Sequence, residues 1–118
     1  MSWIIEQILK FTGSQKFLSA QLDITNACNL RCLHCYQPDH EVSAELAIGE
    51  WRKILDKYAR LAEKLYLKPH FTISGGEPTI SPLFFPLVKE LNSRWPNAGI
   101  SLLTNGTQLS ESVVAEMV

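Results

Sequence analysis

The sequence predicts an α/β fold made of parallel β/α units. Two features carry that prediction. Stretches alternating with period two are followed by stretches with apolar residues at helical spacing, and the order repeats as β-α-β-α-β-α. Each crossover is long enough to join parallel strands and to lay a helix over the sheet. A third feature bears on function. The strand face opposite the apolar one is polar, as expected of a face that borders a site.

The elements follow in order. Ser2 to Phe11 places apolar side chains at Trp3, Ile4, Ile5, Ile8, Leu9 and Phe11, which suits a short helix packed on something else, with an edge strand as the alternative. "TGS" breaks it. "FLSAQLDIT" alternates Leu18, Ala20, Leu22 and Ile24 against Ser19, Gln21, Asp23 and Thr25, a strand with two unlike faces. Trp51, Ile54, Leu55, Tyr58, Leu61, Ala62 and Leu65 predict an amphipathic helix over about residues 48–65, although Ala47 is a poor cap. "HFTIS" is a second strand, ending in "GGEP". Ser81-Pro82 marks a turn or a helix start, and Pro86 sets the start of the helix proper near Phe85. Leu87, Val88, Leu91 and Trp95 line its apolar side, and Pro96 ends it. "GISLLTNG" is a third strand. Ser110 and Glu111 open a last helix with Val113, Val114, Met117 and Val118 on its apolar face.

Composition narrows the function class. The chain has 118 residues, 46% hydrophobic and 19% charged, with a formal net charge of −1. It is long enough for one core, and its cations are dispersed among acids. Neither nucleic acid nor an anionic membrane is expected as a partner. The N-terminus lacks the basic segment and cleavage site of a signal peptide, and no apolar run reaches the roughly 20 residues needed to span a bilayer. The expected location is cytoplasmic, where thiols stay reduced.

All three cysteines, Cys28, Cys32 and Cys35, lie in "ACNLRCLHCYQ", directly after the first strand. Structural cysteines scatter through a core, and these do not. An odd count with local spacing argues against disulfides. A redox pair of Cys32 and Cys35 leaves Cys28 without a task. Zinc with a Cys3His set is the serious competitor, with His34 or His40 as fourth ligand. Zinc ligands, however, usually come as two separated pairs, and His34 would tend to point away from its neighbours. An iron–sulfur cluster is the remaining reading. Three thiolates hold three irons of a cubane and leave the fourth open to a substrate or cosubstrate.

The run Cys28-Asn29-Leu30-Arg31-Cys32-Leu33-His34-Cys35-Tyr36 resembles the cluster motif of the radical S-adenosylmethionine (SAM) superfamily. "SGGEP", Ser74 to Pro78, and "LLTNG", Leu102 to Gly106, resemble two further motifs of that family, at the ends of the second and third strands. The resemblance covers about residues 18 to 118. It implies that Cys28, Cys32 and Cys35 ligate a [4Fe–4S] cluster whose open iron binds SAM. The reduced cluster would cleave SAM to a 5′-deoxyadenosyl radical that abstracts hydrogen from a substrate.

The same resemblance assigns SAM-binding roles to Tyr36, Ser74, Gly75, Gly76, Glu77, Pro78, Thr104 and Asn105. Gly75 and Gly76 would let backbone carbonyls approach the SAM ammonium. Glu77 would add negative charge there or shape the turn, and Pro78 would fix the exit. Tyr36 would lie by the adenine. Asn29, Leu30 and Arg31 are expected to shape and shield the cluster loop. No residue is assigned a further catalytic role.

In fold, the resemblance implies the N-terminal half of a partial (β/α)6 TIM-like barrel, with residues 1–16 as an extension and 17–118 as the C-terminally incomplete core. Such a chain is not expected to turn over alone. The motif's flavour is closest to peptide-modifying and cofactor-maturing members, with a flavodoxin or ferredoxin as electron donor. The alternative is a non-catalytic iron–sulfur or Cys3His zinc module.

Overall fold

The computed structural model describes residues 2–12, 16–37, 40–41 and 45–118. The elements are α1 (Ser2–Thr12), β1 (Phe17–Asp23), α2 (Ile48–Leu65), β2 (Lys68–Ser74), α3 (Phe84–Arg94), β3 (Gly99–Leu102) and α4 (Glu111–Met117), with a 3-10 turn at Pro78–Ile80. The expected break at Gly13-Ser14 lies outside the described residues.

β1, β2 and β3 form one parallel sheet in that order. The expected α/β class and the short N-terminal helix are both present. Register runs Leu22 beside Ile73 beside Leu102, and Ala20 beside Phe71 beside Ile100. These side chains face α2 and α3. Leu22, Ile24, Trp51, Leu55, Phe71, Ile73, Phe84, Leu87, Val88 and Leu91 form the buried core. Beneath them Phe71 packs between Tyr58 and Trp95, with ring centroids 4.9 and 5.1 Å away. The Tyr58 hydroxyl donates to the Leu18 carbonyl, which ties α2 to β1. At the surface Arg94 bridges the two helices, reaching Asp56 at 2.7 Å and Glu90 at 2.9 Å. Its guanidinium holds the Glu90 carboxyl below its ordinary value.

α2 spans the expected residues 48–65 and α3 begins within one residue of the expected start, while β3 ends early; each boundary has a local reason. α2 starts without a capping side chain at Ala47; instead Glu50 reaches back and accepts the Ala47 N–H at 2.8 Å. The helix ends on Tyr66 in the left-handed region (φ 54°), and the Leu67 N–H bonds back to the Ala62 carbonyl at 3.0 Å. α3 begins at Phe84 because Pro86 falls in the first turn, where no intrahelical N–H is needed. β3 stops at Leu102, earlier than expected, because Thr104 and Asn105 turn inward to a carboxylate. In α1, Trp3, Ile4, Ile8 and Phe11 are exposed, in contrast to the expected packed face.

The opposite sheet face is polar. Gln21, Thr72 and Ser101 are neighbours across the three strands, Ser19 lies beside His70, and Asp23 beside Ser74. The helices therefore cover one face only, and the motif loops all emerge at the strands' C-terminal ends.

Phe71 is fully buried, so Phe71→Ala is expected to cost about 3–5 kcal/mol. Urea unfolding monitored by circular dichroism measures this as a fall in the midpoint.

Candidate functional site

The loop after β1 carries the thiols, the loop after β2 carries Gly75 to Pro78, and the turn after β3 carries Thr104 and Asn105. The three are joined by backbone and side-chain hydrogen bonds. β1 and β2 remain paired as they leave the sheet, through Ile24 N–H to the Ser74 carbonyl at 3.1 Å. Gly76 N–H then donates to the Thr25 carbonyl, and Glu77 N–H to the Ala27 carbonyl, both at 2.8 Å.

The glycines make this contact possible. Gly75 has φ 135°, a conformation other residues rarely adopt. A Cβ at Gly75 would collide with the Thr25 carbonyl oxygen, and one at Gly76 with the carbonyl oxygens of Asn26 and Ala27. The close approach they permit is thus to the backbone leading into the cysteine loop.

Glu77 is fully buried. One carboxylate oxygen accepts from the Thr79 N–H, the Thr79 hydroxyl and, at 2.6 Å, the Thr104 hydroxyl. The other accepts the Asn105 N–H at 2.7 Å. Burial pushes the carboxyl pKa up, but the bonds from Thr104, Thr79 and Asn105 outweigh it and leave the group below its ordinary value of 4.5. With both oxygens engaged inside the protein, Glu77 ties the turn after β2 to the turn after β3. Pro78 is buried behind it at the first position of the 3-10 turn that Glu77 caps. Ser74 is buried as well.

The thiols are all free, with Cys28 half-buried and Cys32 and Cys35 exposed. Cys35 N–H bonds to the Cys32 carbonyl at 3.1 Å, which forms a tight turn, and Leu30 N–H lies 3.5 Å from Cys28 Sγ. Among the described residues, no three His, Cys, Asp or Glu side chains converge as a ready metal site. The donor set nonetheless suits a cluster. Three soft sulfur donors share one loop, the donor type that iron–sulfur clusters take. His34 is exposed, and His40 Nδ1 lies 3.1 Å from the Asn26 carbonyl oxygen, so His40 is engaged with the loop's base. Tyr36 stands 76% exposed beside Cys35, open to a ligand over the loop.

Four contributors escaped sequence reasoning. Thr25 donates its hydroxyl to Glu45, which also accepts the Asn26 N–H at 2.9 Å. Thr79 satisfies Glu77, and Thr107 bonds both Asn29 and Asn105. Of these, Thr107 carried a local signal, since an Asn two residues earlier can accept its N–H in an Asx-turn, as Asn105 does at 3.1 Å.

Comparison with known proteins identifies the family. Residues 22–118 match the model of the Radical SAM superfamily, and the chain belongs to that family. Among curated relatives, it is 31% identical over 106 residues to a GTP 3′,8-cyclase from Pasteurella multocida, covering 86% of this chain and 30% of that protein. It is 36% identical over 97 residues to a tungsten-containing aldehyde ferredoxin oxidoreductase cofactor-modifying protein from Pyrococcus furiosus, covering 81% of this chain and 26% of the other. A mycofactocin maturase MftC from Mycobacterium ulcerans is 31% identical over 96 residues, covering 80% and 24%. The chain thus spans less than a third of the length of these relatives. No solved structure gave a significant match. Members of the family use [4Fe–4S] clusters and SAM.

Two predictions follow from the joined loops. Gly76→Ala is expected to cost about 1–3 kcal/mol or more, because backbone oxygens must move to admit the methyl group; thermal unfolding reads this directly. Glu77 gives an acid limb. Its folded pKa lies below its ordinary 4.5, so its contribution is complete above that value and is lost as pH falls through the folded pKa. Glu77→Gln should flatten that limb. It should also lower stability at neutral pH by about 1–3 kcal/mol, since an amide N–H would face the Asn105 N–H. Urea midpoints measured across the acid range test both effects.

Proposed function

We propose that this chain forms the cluster-binding and part of the SAM-binding region of a radical SAM enzyme. The observation that carries the reading is the meeting of three motifs at one end of a parallel sheet. The three-thiol loop, the Gly-Gly-Glu-Pro turn and the Thr-Asn-Gly turn are hydrogen-bonded to one another there. In parallel barrels, active sites are assembled at this end of the strands.

Cys28, Cys32 and Cys35 would hold the cluster. A bound [4Fe–4S] cluster would supply the electron that cleaves SAM to a 5′-deoxyadenosyl radical. The chain's own residues do the rest. Gly75, Gly76 and Glu77 set the height of the cysteine loop above the sheet. Ser74, Pro78, Thr104 and Asn105 shape the adjoining wall, and Tyr36 offers a ring for the adenine. The polar sheet face, with Gln21, Thr72 and Ser101 in one row, gives a hydrogen-bonding floor to whatever lies over it.

The names of two relatives, a cofactor-modifying protein and a mycofactocin maturase, favour cofactor maturation as the setting, and the motif's flavour adds peptide modification. A flavodoxin or ferredoxin is the proposed electron donor. Among the described residues no helix is long and apolar enough to cross a membrane, and a cytoplasmic location is part of the proposal. The complete reaction is proposed to need more of the barrel than three strands supply.

Anaerobic reconstitution with iron and sulfide, followed by reduction and electron paramagnetic resonance with and without SAM, tests the reading. A [4Fe–4S] signal that changes on adding SAM is expected. Cys28→Ala, Cys32→Ala or Cys35→Ala should each abolish stable cluster uptake. For Cys32 and Cys35, both exposed, unfolding of the metal-free chain should change by no more than about 0.5 kcal/mol. One tightly bound zinc and no iron–sulfur signal would instead favour a Cys3His module.

A further inference from the structure

Asn29 lies next to Cys28 in sequence and against the turn after β3 in space. Its Oδ1 accepts from Asn105 Nδ2 at 2.9 Å. Its Nδ2 donates to Thr107 Oγ1 at 2.8 Å. Thr107 Oγ1 donates in turn to Asn105 Oδ1, also at 2.8 Å. These three bonds close a ring, each group donating once and accepting once around it. Rings and chains of this kind polarise their members in the same sense, so each bond supports the next.

The ring is anchored from behind. Asn105 N–H is held by Glu77 at 2.7 Å, and Thr107 N–H donates to Asn105 Oδ1 at 3.1 Å. A continuous path therefore runs from the buried carboxylate, through Asn105, to the residue following the first thiol. The other hydrogen bonds within the thiol loop are local: Cys35 to Cys32, Leu30 to Cys28, and Arg31 to the Cys28 and Leu30 carbonyls at 2.8 Å. Among described residues 28–37, the ring is the long-range link, joining positions 76 and 78 residues apart.

We propose that Asn29 is a positioning residue, which through Asn105 and Thr107 clamps the thiol-bearing loop onto the turn after β3. The base of that loop and the turn then move together, and the approach of Cys28 to its metal is set from the third strand. The part of this inference that concerns metal rests on the proposed function. The clamp itself does not, so the two can fail separately.

Hydrogen exchange on the full, metal-free chain tests the clamp, read by mass spectrometry over residues 28–36. Asn105→Ala, 76 residues away, is expected to speed exchange there about two- to tenfold, the effect of losing one net hydrogen bond. Asn29→Ala should do the same. The double variant should be no faster than Asn29→Ala, because removing Asn29 already breaks every bond between it and the turn. Asn29→Asp should stay near wild type, since a carboxylate can accept from both Asn105 and the Thr107 hydroxyl. Exchange in β2 should be unchanged in every variant, which separates a local clamp from general loss of stability. Unchanged exchange over 28–36 in Asn105→Ala, or additive effects in the double variant, would overturn the proposal.

In the reconstituted chain, loss of cluster to a chelator should speed up in the same order as exchange. Wild-type chain that takes up no cluster would count against the reading of the thiols, while the exchange comparison still decides for or against the clamp.

Discussion

The buried carboxylate of Glu77 constrains everything above the sheet. An ionised group with no contact with water is tolerated only where its oxygens are hydrogen-bonded, and here Thr79, Thr104 and the Asn105 N–H do this. The donors come from both sides, one set just after Glu77 and the other beyond β3. Neither loop can drift without stripping a partner from the charge. The Glu77 N–H extends the constraint to a third segment, because it donates to Ala27, next to the first thiol. This is also why Gly75 and Gly76 precede Glu77. Side chains at those positions would hold the β2 loop away from Thr25 to Ala27, and the backbone bonds of Gly76 and Glu77 to that segment would be lost.

The sheet below divides its faces between stability and function. Leu22, Phe71, Ile73 and Leu102 face the helices, and burial there supplies the main driving force for folding. Ser19, Gln21, Thr72 and Ser101 face the other way and contribute little to that core. Such a polar row is what a bound molecule needs, since it offers directional partners. A parallel sheet with helices on one side therefore leaves its functional face open by construction. The alternation of period two ensures that no residue must serve both purposes.

Much of this was legible from one sequence because the signals are local. Period-two and helical spacing located the strands and helices, and the cysteine spacing with GGEP and TNG pointed to the family. The contacts that the sequence hides share a cause. β3 was expected to run to Asn105, but Thr104 and Asn105 leave the ladder to serve a charge 27 and 28 residues earlier. Glu77 itself was assigned either a role beside the SAM ammonium or a structural one. Only the fold shows that both its oxygens are already taken. Asn29 was read as shaping its own loop, whereas its partners lie beyond β3. The reciprocal bond from Glu50 to Ala47 was a nearer miss, because its three-residue spacing is a known capping signal even when the cap residue has no side-chain acceptor. Contacts fixed by tertiary placement leave no periodic trace, and these are the ones that build the site.

The site combines a rigid base with an adaptable tip. Up to Ala27 the chain is locked by backbone bonds to Gly76 and Glu77, while from Leu30 to Tyr36 it is exposed. A cluster imposes its own geometry on its ligands, and a loop already frozen in another arrangement would have to be deformed to bind it. An exposed tip avoids that deformation, so under the proposed function the thiols could gather around a cluster without disturbing the fold beneath them. A loop free along its whole length would order at greater entropic cost and would place the metal poorly relative to the Gly-Gly-Glu-Pro turn. Asn29 stands at the boundary between the two regimes, one residue past the half-buried Cys28 and bonded to the rigid third-strand turn. Tethering the loop at its first thiol, and leaving the other two free, confines the motion to a short arc. That arc is where three thiolates can gather around one cluster without disturbing the carboxylate beneath them.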